Sequence, residues 1–192
     1  LGHHQALEKE ERFSSWKSEE VAKLAWTLGA LAAEQVFYGE NATGVGGDLQ
    51  SATGRSAWMV GVSGMGPDPI PIDSKARMSV EKREEAREKR AKRLESIGLQ
   101  LMNRASGDFQ HDSIAAVLGD PTKKRYAAQI IGQAYVNAHQ LIHQNQDAVG
   151  KIADHLVARK ELYGDELIDL LNSVGLKEPT VDLGKEETWP TL

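Results

Sequence analysis

The chain has 192 residues, a formal net charge of −5 and no cysteine. That length allows a real hydrophobic core, while the missing thiols exclude disulfides, thiolate zinc sites and cysteine nucleophiles, so any metal must sit on His, Asp or Glu. The acidic balance argues against the sequence-independent phosphate binding of basic domains, and no apolar run approaches the roughly 20 residues that cross a bilayer.

In chain order, "GHHQALEKEERF" (2–13) reads as a short extended segment leading into a turn. His3 and His4 point opposite ways on a strand and cannot chelate one metal as a pair. "SSWKSEEVAKLAWTLGALAAEQVFYG" follows, with Ser18 as helix cap and apolar residues at Val21, Leu24, Ala25, Leu28, Leu31, Ala32 and Gln35 or Val36, the spacing of one buried helix ending at Gly39. Its small residues Gly29, Ala30, Ala32 and Ala33 suggest that another helix packs very close to it.

Four glycines then crowd between Gly39 and Gly47, ahead of a single acid, Asp48. The plain reading of Asp48 is the N-cap of a second helix that carries Leu49, Ala52, Ser56, Met59 and Val60 on one side and stops near Gly61 to Gly66. A phosphate cradle fits poorly: there is no GxGxxG, no Lys-Ser/Thr after the glycines and no strong strand before them.

"PDPIPIDS" (67–74) is a stiff connector, because three prolines in five residues forbid regular structure. The run 74–93 is almost wholly charged, with acids three or four residues from bases, and reads as an exposed helix or as disordered in part. "LESIGLQLMNRASG" regains apolar character, and a turn-rich segment leads to Pro121. A long helix from about Thr122 to Asn145 places Tyr126, Ile130, Ile131, Ala134, Ala138, Leu141 and Ile142 on one stripe. A helix over roughly Gln146 to Lys160 and a small amphipathic one in "YGDELIDLLNSVG" complete the pattern, and from Lys177 onward the chain reads as a tail. The fold class is therefore all-α, mainly a helical bundle, with a short strand pair near the N-terminus.

Within the long helix, "HQLIH" sets His139 and His143 at i and i+4, the spacing of zinc proteases with HExxH. Gln140 stands between them, and an amide cannot take a proton from a metal-bound water, so the plain reading is a pair of polar-face histidines.

"LGALAAEQVFYGENATGVGGDLQSAT" resembles the peptidase domain of membrane-anchored AAA metalloproteases, the M41 family that includes the bacterial FtsH proteases. In that family a helix of the form LGGRAAEE, an aromatic and a glycine, and then TTGAxxDLxxAT carry part of the zinc site. Leu28, Gly29, Ala32, Ala33, Glu34, Tyr38, Gly39, Thr43, Gly44, Asp48, Leu49, Ala52 and Thr53 match in step. "GHHQALEKEERF" looks like the family's "GYxxxLPxEDRF" edge strand and loop through Gly2, Leu7, Glu10, Arg12 and Phe13, and the stretch from Tyr135 to Leu171 resembles its closing helices. Residues 67–120 match poorly and read as a charged insertion in a partial peptidase domain over 1–176, with 177–192 as the tail.

The resemblance implies zinc held by two histidines of an HExxH helix and by Asp48 as third ligand, an open position remaining for water. It makes Glu34 a candidate to orient a metal-bound histidine, and Thr43 and Gly44 residues that shape the loop. It also implies ATP and magnesium at an AAA module outside this chain, unfolded or membrane proteins as substrates, and a homo-hexamer. The chain would be a soluble domain of a protein anchored in a bacterial inner or organellar membrane through segments absent here, on the cytoplasmic face in bacteria.

This sequence departs from the family in lacking HExxH, in Ala30 and Leu31 for Gly-Arg, in Gln35 for the second glutamate, and in the extra loop glycines Gly46 and Gly47. With Leu1 as first residue, the expectation is a piece of a longer enzyme that is inactive alone. Two rivals stand beside it: a non-catalytic structural or adaptor relative, and a helical interaction module that binds a partner through 74–93.

Overall fold

Helix α6 (Pro121–Gln144) is the axis around which the rest is packed. Its start is set by Asp120, whose side chain accepts the backbone N–H groups of Thr122 and Lys123 at 2.9 and 3.0 Å, with Pro121 in the first turn where no amide donor is needed. These bonds, that from Lys123 foremost, hold the Asp120 carboxyl below its usual range. From Ala127 the helix is buried almost all round, including Ile130, Ile131, Ala134, Val136 and Ala138. Each fully buried Leu or Ile contributes about 1.5–3 kcal/mol relative to exposure.

The computed structural model describes residues 13–71, 79–104, 113–178 and 182–191; among them the regular structure is helical, with no strand. The strand pair expected over 2–13 falls almost wholly outside the described residues. α1 (Lys17–Thr27) and α2 (Gly29–Tyr38) take the place of the single helix expected, broken at Leu28, whose ψ of 0° and following glycine interrupt regular geometry. The N-terminal cap of α1 is Trp16 rather than Ser18: the Glu19 carboxylate accepts the Trp16 backbone N–H at 2.8 Å. The predicted stripe holds, with Leu24, Leu28, Leu31 and Ala32 fully buried.

α3 (Gly46–Gly61) buries Leu49, Ala52, Ser56 and Met59 as its spacing predicts. α1 and α3 are tied by Glu20, 3% exposed, which receives Arg55 at 2.5 Å and Lys23 at 3.2 Å. Burial pushes the Glu20 carboxyl up, but the hydrogen bonds and charges of Arg55 and Lys23 outweigh it and hold the group below its usual range.

α4 (Val80–Arg104) begins in the charged run and ends inside the core, burying Leu94, Ile97, Leu101 and Met102. It crosses α6 more closely than any side chain would permit. A Cβ on Gly98 would lie 1.8 Å from the Ala128 carbonyl oxygen, and one on Gly132 would lie 2.2 Å from that of Leu94. Of the small residues expected to meet a neighbouring helix, Ala32 is fully buried where α2 packs on α6, whereas nothing lies within 4 Å of the absent side chain of Gly29.

The segment expected to be turn-rich contains a short helix, α5 (Ser113–Gly119), with Val117 buried. Tyr126, expected on the inner stripe of α6, is 46% exposed, because it lies just before the helix enters the core. Through Pro71, where its described part ends, the proline connector is irregular as expected and is held by Gln133, whose amide accepts the Asp68 N–H at 3.0 Å and donates to the Asp68 carbonyl at 2.8 Å.

α7 (Gln146–Arg159) follows α6 directly, and α8 (Gly164–Ser173) is joined to it by the Arg159–Glu166 pair at 2.9 Å; their buried residues are Ala148 and Leu170. Residues 182–191, in the stretch read as a tail, return to the core: Trp189 is 4% exposed, with the Arg93 guanidinium 5.3 Å above its ring. Among the described residues no helix is long and apolar enough to cross a membrane.

Candidate functional site

The loop from α2 to α3 is built by local bonds. α2 ends at Gly39, whose φ of 75° is the left-handed conformation that glycine adopts without cost, its N–H bonded to the Gln35 carbonyl at 3.1 Å. The chain then folds back on α2. Asn41 Nδ2 donates to the Leu31 carbonyl at 2.8 Å and to Glu34 Oε2 at 3.4 Å, and the Ala42 N–H donates to Glu34 Oε2 at 2.8 Å.

A 3₁₀ turn over Thr43–Val45 follows, pinned by buried Val45 and closed by the Gly46 N–H on the Thr43 carbonyl. Glycine freedom is used in this stretch only at Gly39; Gly44 and Gly47 have ordinary φ and open space where a Cβ would stand.

Asp48 is not the N-cap of α3. The helix already begins at Gly46 with Val45 as cap residue, so Asp48 is the third residue of the first turn. A carboxylate there gains about 0.3–1 kcal/mol from the helix dipole. It is half-buried, and among the described residues it takes part in no hydrogen bond or ion pair. Fully buried Leu49 and Ala52 fix the helix behind it.

A zinc centre needs three or four donors. Among the described residues no group of three His, Asp or Glu side chains converges to hold a metal, so they do not form a zinc centre by themselves. What they offer is one free carboxylate in the first turn of α3, beside a loop that Glu34 restrains.

"HQLIH" lies on α6. The His139 and His143 rings are 6.3 Å apart between centroids and 23° from parallel. Burial, and secondarily the charge of His143, holds His139 below the usual histidine range. The pair lines a cavity of about 460 Å³ with Gln140, Asp182, Lys185 and Thr188 among its walls. Sequence reasoning missed this juxtaposition and the anchoring role of Asn41; Trp189, a large apolar residue in the polar stretch read as a tail, was the available signal for the first.

Comparison with known proteins bears on these residues directly. The chain is 28% identical over 179 residues to the ATP-dependent zinc metalloprotease FtsH of Kosmotoga olearia, covering 93% of this chain and 24% of that protein. It is 29% identical over 192 residues to FtsH 3 of Petrotoga mobilis, covering 98% and 26% respectively. A 58-residue stretch is 50% identical to FtsH of a Sulfurovum species, covering 30% of this chain and 9% of that protein. The chain thus spans about a quarter of the length of the first two relatives. No solved structure matches it. Residues 1–106, which include the whole loop from Glu34 to Asp48, match the family model of Peptidase family M41, and the chain belongs to that family.

Proposed function

We propose that this chain is the aspartate-bearing part of the peptidase domain of an ATP-dependent zinc metalloendopeptidase, and that Asp48 is one of its zinc ligands. The observation that carries the reading is the Asp48 carboxylate: half-buried, free of protein partners among the described residues, and held in the first turn of α3 directly after a loop that local bonds restrain. A carboxylate serving only as a cap would be expected to bond backbone amides, as Asp120 does.

The other residues fit supporting tasks. Glu34 spends Oε2 on the loop, and its other oxygen has no hydrogen bond among the described residues, leaving it able to orient a metal-bound imidazole. Thr43 and Gly44 shape the turn, and the Glu20–Arg55 pair keeps α3 from shifting. In the whole protein the reading includes a short strand pair over the N-terminal segment, an AAA module using ATP and magnesium, unfolded or membrane proteins as substrates, and a homo-hexamer. It also includes a membrane anchor supplied by other segments, with this part on the cytoplasmic face in bacteria.

The test is Asp48→Asn in the complete polypeptide, with zinc content, ATP hydrolysis and casein degradation measured together. Loss of zinc and of chelator-sensitive proteolysis with ATP hydrolysis retained is expected. Zinc content and proteolysis equal to the parent would overturn the assignment. This chain alone is expected not to cleave casein, with or without added zinc.

A further inference from the structure

The cavity between α6 and the returning C-terminal segment has a donor set that nothing in the loop chemistry uses. His139 and His143 project from successive turns of one helix face, with rings only 23° from parallel and 6.3 Å apart. His139 Nδ1 is buried with no hydrogen-bond partner, an uncommon state for an imidazole nitrogen. Asp182 and Glu187 bring carboxylates to the other wall, with Lys185 as the cation of the same lining.

We propose that His139 and His143 chelate a divalent transition-metal ion in this cavity, of the imidazole-seeking class of Zn²⁺, Co²⁺, Ni²⁺ and Cu²⁺. Metal–nitrogen bonds of about 2.0–2.1 Å at a tetrahedral angle set two imidazole centroids about 5 Å apart. The observed 6.3 Å is longer, so binding requires the two side chains to rotate on a fixed helix until one nitrogen of each ring faces the same ion. Because no group of three donors converges among the described residues, the ion keeps water in its remaining positions. Rotation of Asp182 or Glu187 onto it would staple the C-terminal segment to α6. That segment is otherwise held there by the Gln140 amide on Thr188 Oγ1 at 2.7 Å and by buried Trp189.

The test uses the chain stripped of metal, in a His3→Gln, His4→Gln background that removes the adjacent N-terminal histidines. Calorimetric titration with Zn²⁺ and with Ni²⁺ is expected to show one site. His143→Gln alters an exposed position, so its fold should persist, as circular dichroism would verify. It should weaken binding by about tenfold or more and abolish the metal-dependent rise in melting temperature. His139→Gln should do the same, whereas Asp48→Asn and His155→Gln should leave this site unchanged. Absence of binding by the parent chain, or affinity unaltered in His143→Gln, overturns the proposal.

Discussion

Glu34 Oε2 accepts the backbone N–H of Ala42 at 2.8 Å, tying the loop before Asp48 to a helix residue eight positions earlier. The same oxygen receives Asn41 Nδ2 at 3.4 Å, so one carboxylate oxygen accepts from two donors of the loop that follows α2. Glu34→Ala should release the loop at a cost of about 1–2 kcal/mol. Glu34→Gln should retain most of the restraint, since an amide oxygen still accepts. Hydrogen exchange at the Ala42 amide reads this directly: protection in Glu34→Ala equal to the parent's would show that the loop is held by something else.

Gly98 and Gly29 make a matched pair of helical glycines with opposite expected responses. Alanine ordinarily gains up to about 1 kcal/mol over glycine inside a helix, and Gly29→Ala should be neutral or mildly stabilising because nothing crowds the new methyl. At Gly98 the new Cβ meets Ala128 backbone atoms at 1.8, 2.5 and 2.8 Å, and backbone cannot rotate aside. Overpacking of this kind costs about 1–3 kcal/mol or more. Gly98→Ala should therefore lower the melting temperature by several degrees, on the scale of about 2–4 °C per kcal/mol for a chain this long. A higher melting temperature would refute the tight α4–α6 crossing.

The Glu20 cluster gives stability a pH dependence of definite sign. Burial opposes ionisation, but Arg55 and Lys23 prevail and the folded-state carboxyl lies below the ordinary 4.5. The folded state therefore binds fewer protons than the unfolded one in the acid range, and the contribution is complete above 4.5 and lost as pH falls through the lowered value. Urea midpoints measured from neutral pH into that range should fall less steeply for Glu20→Gln than for the parent. Arg55→Ala at neutral pH should cost about 1–3 kcal/mol, because the buried carboxylate keeps only Lys23. An identical pH profile in Glu20→Gln would place the acid sensitivity in other groups.

Periodic apolar spacing made α3 legible, since Leu49, Ala52 and Met59 lie on its buried side, but it marked only one stripe of α6, a helix buried almost all round. The same signal failed where packing does not follow from one helix alone. Gly98 and Gly132 look like helix weaknesses in sequence and act as the contact surface only when α4 and α6 meet. Asp48 shows how local rules mislead: an acid after glycines suggests a cap, yet after the 3₁₀ turn the helix starts three residues sooner. The family motif marked Asp48, Glu34, Thr43 and Gly44 together, while the bonds of Asn41 to α2 carried no pattern that spacing could reveal.

The return of Trp189 to the core bears on the order in which the fold can form. Arg93 meets Glu186 at 2.9 Å across 93 positions, so during synthesis α4 emerges long before the residues that cover it. At about 5–20 residues per second, the Trp189 face of the nascent bundle stands open to water for several seconds. For that interval a half-built protein displays apolar surface that its finished form hides, a natural landing place for the chaperones that attend growing chains.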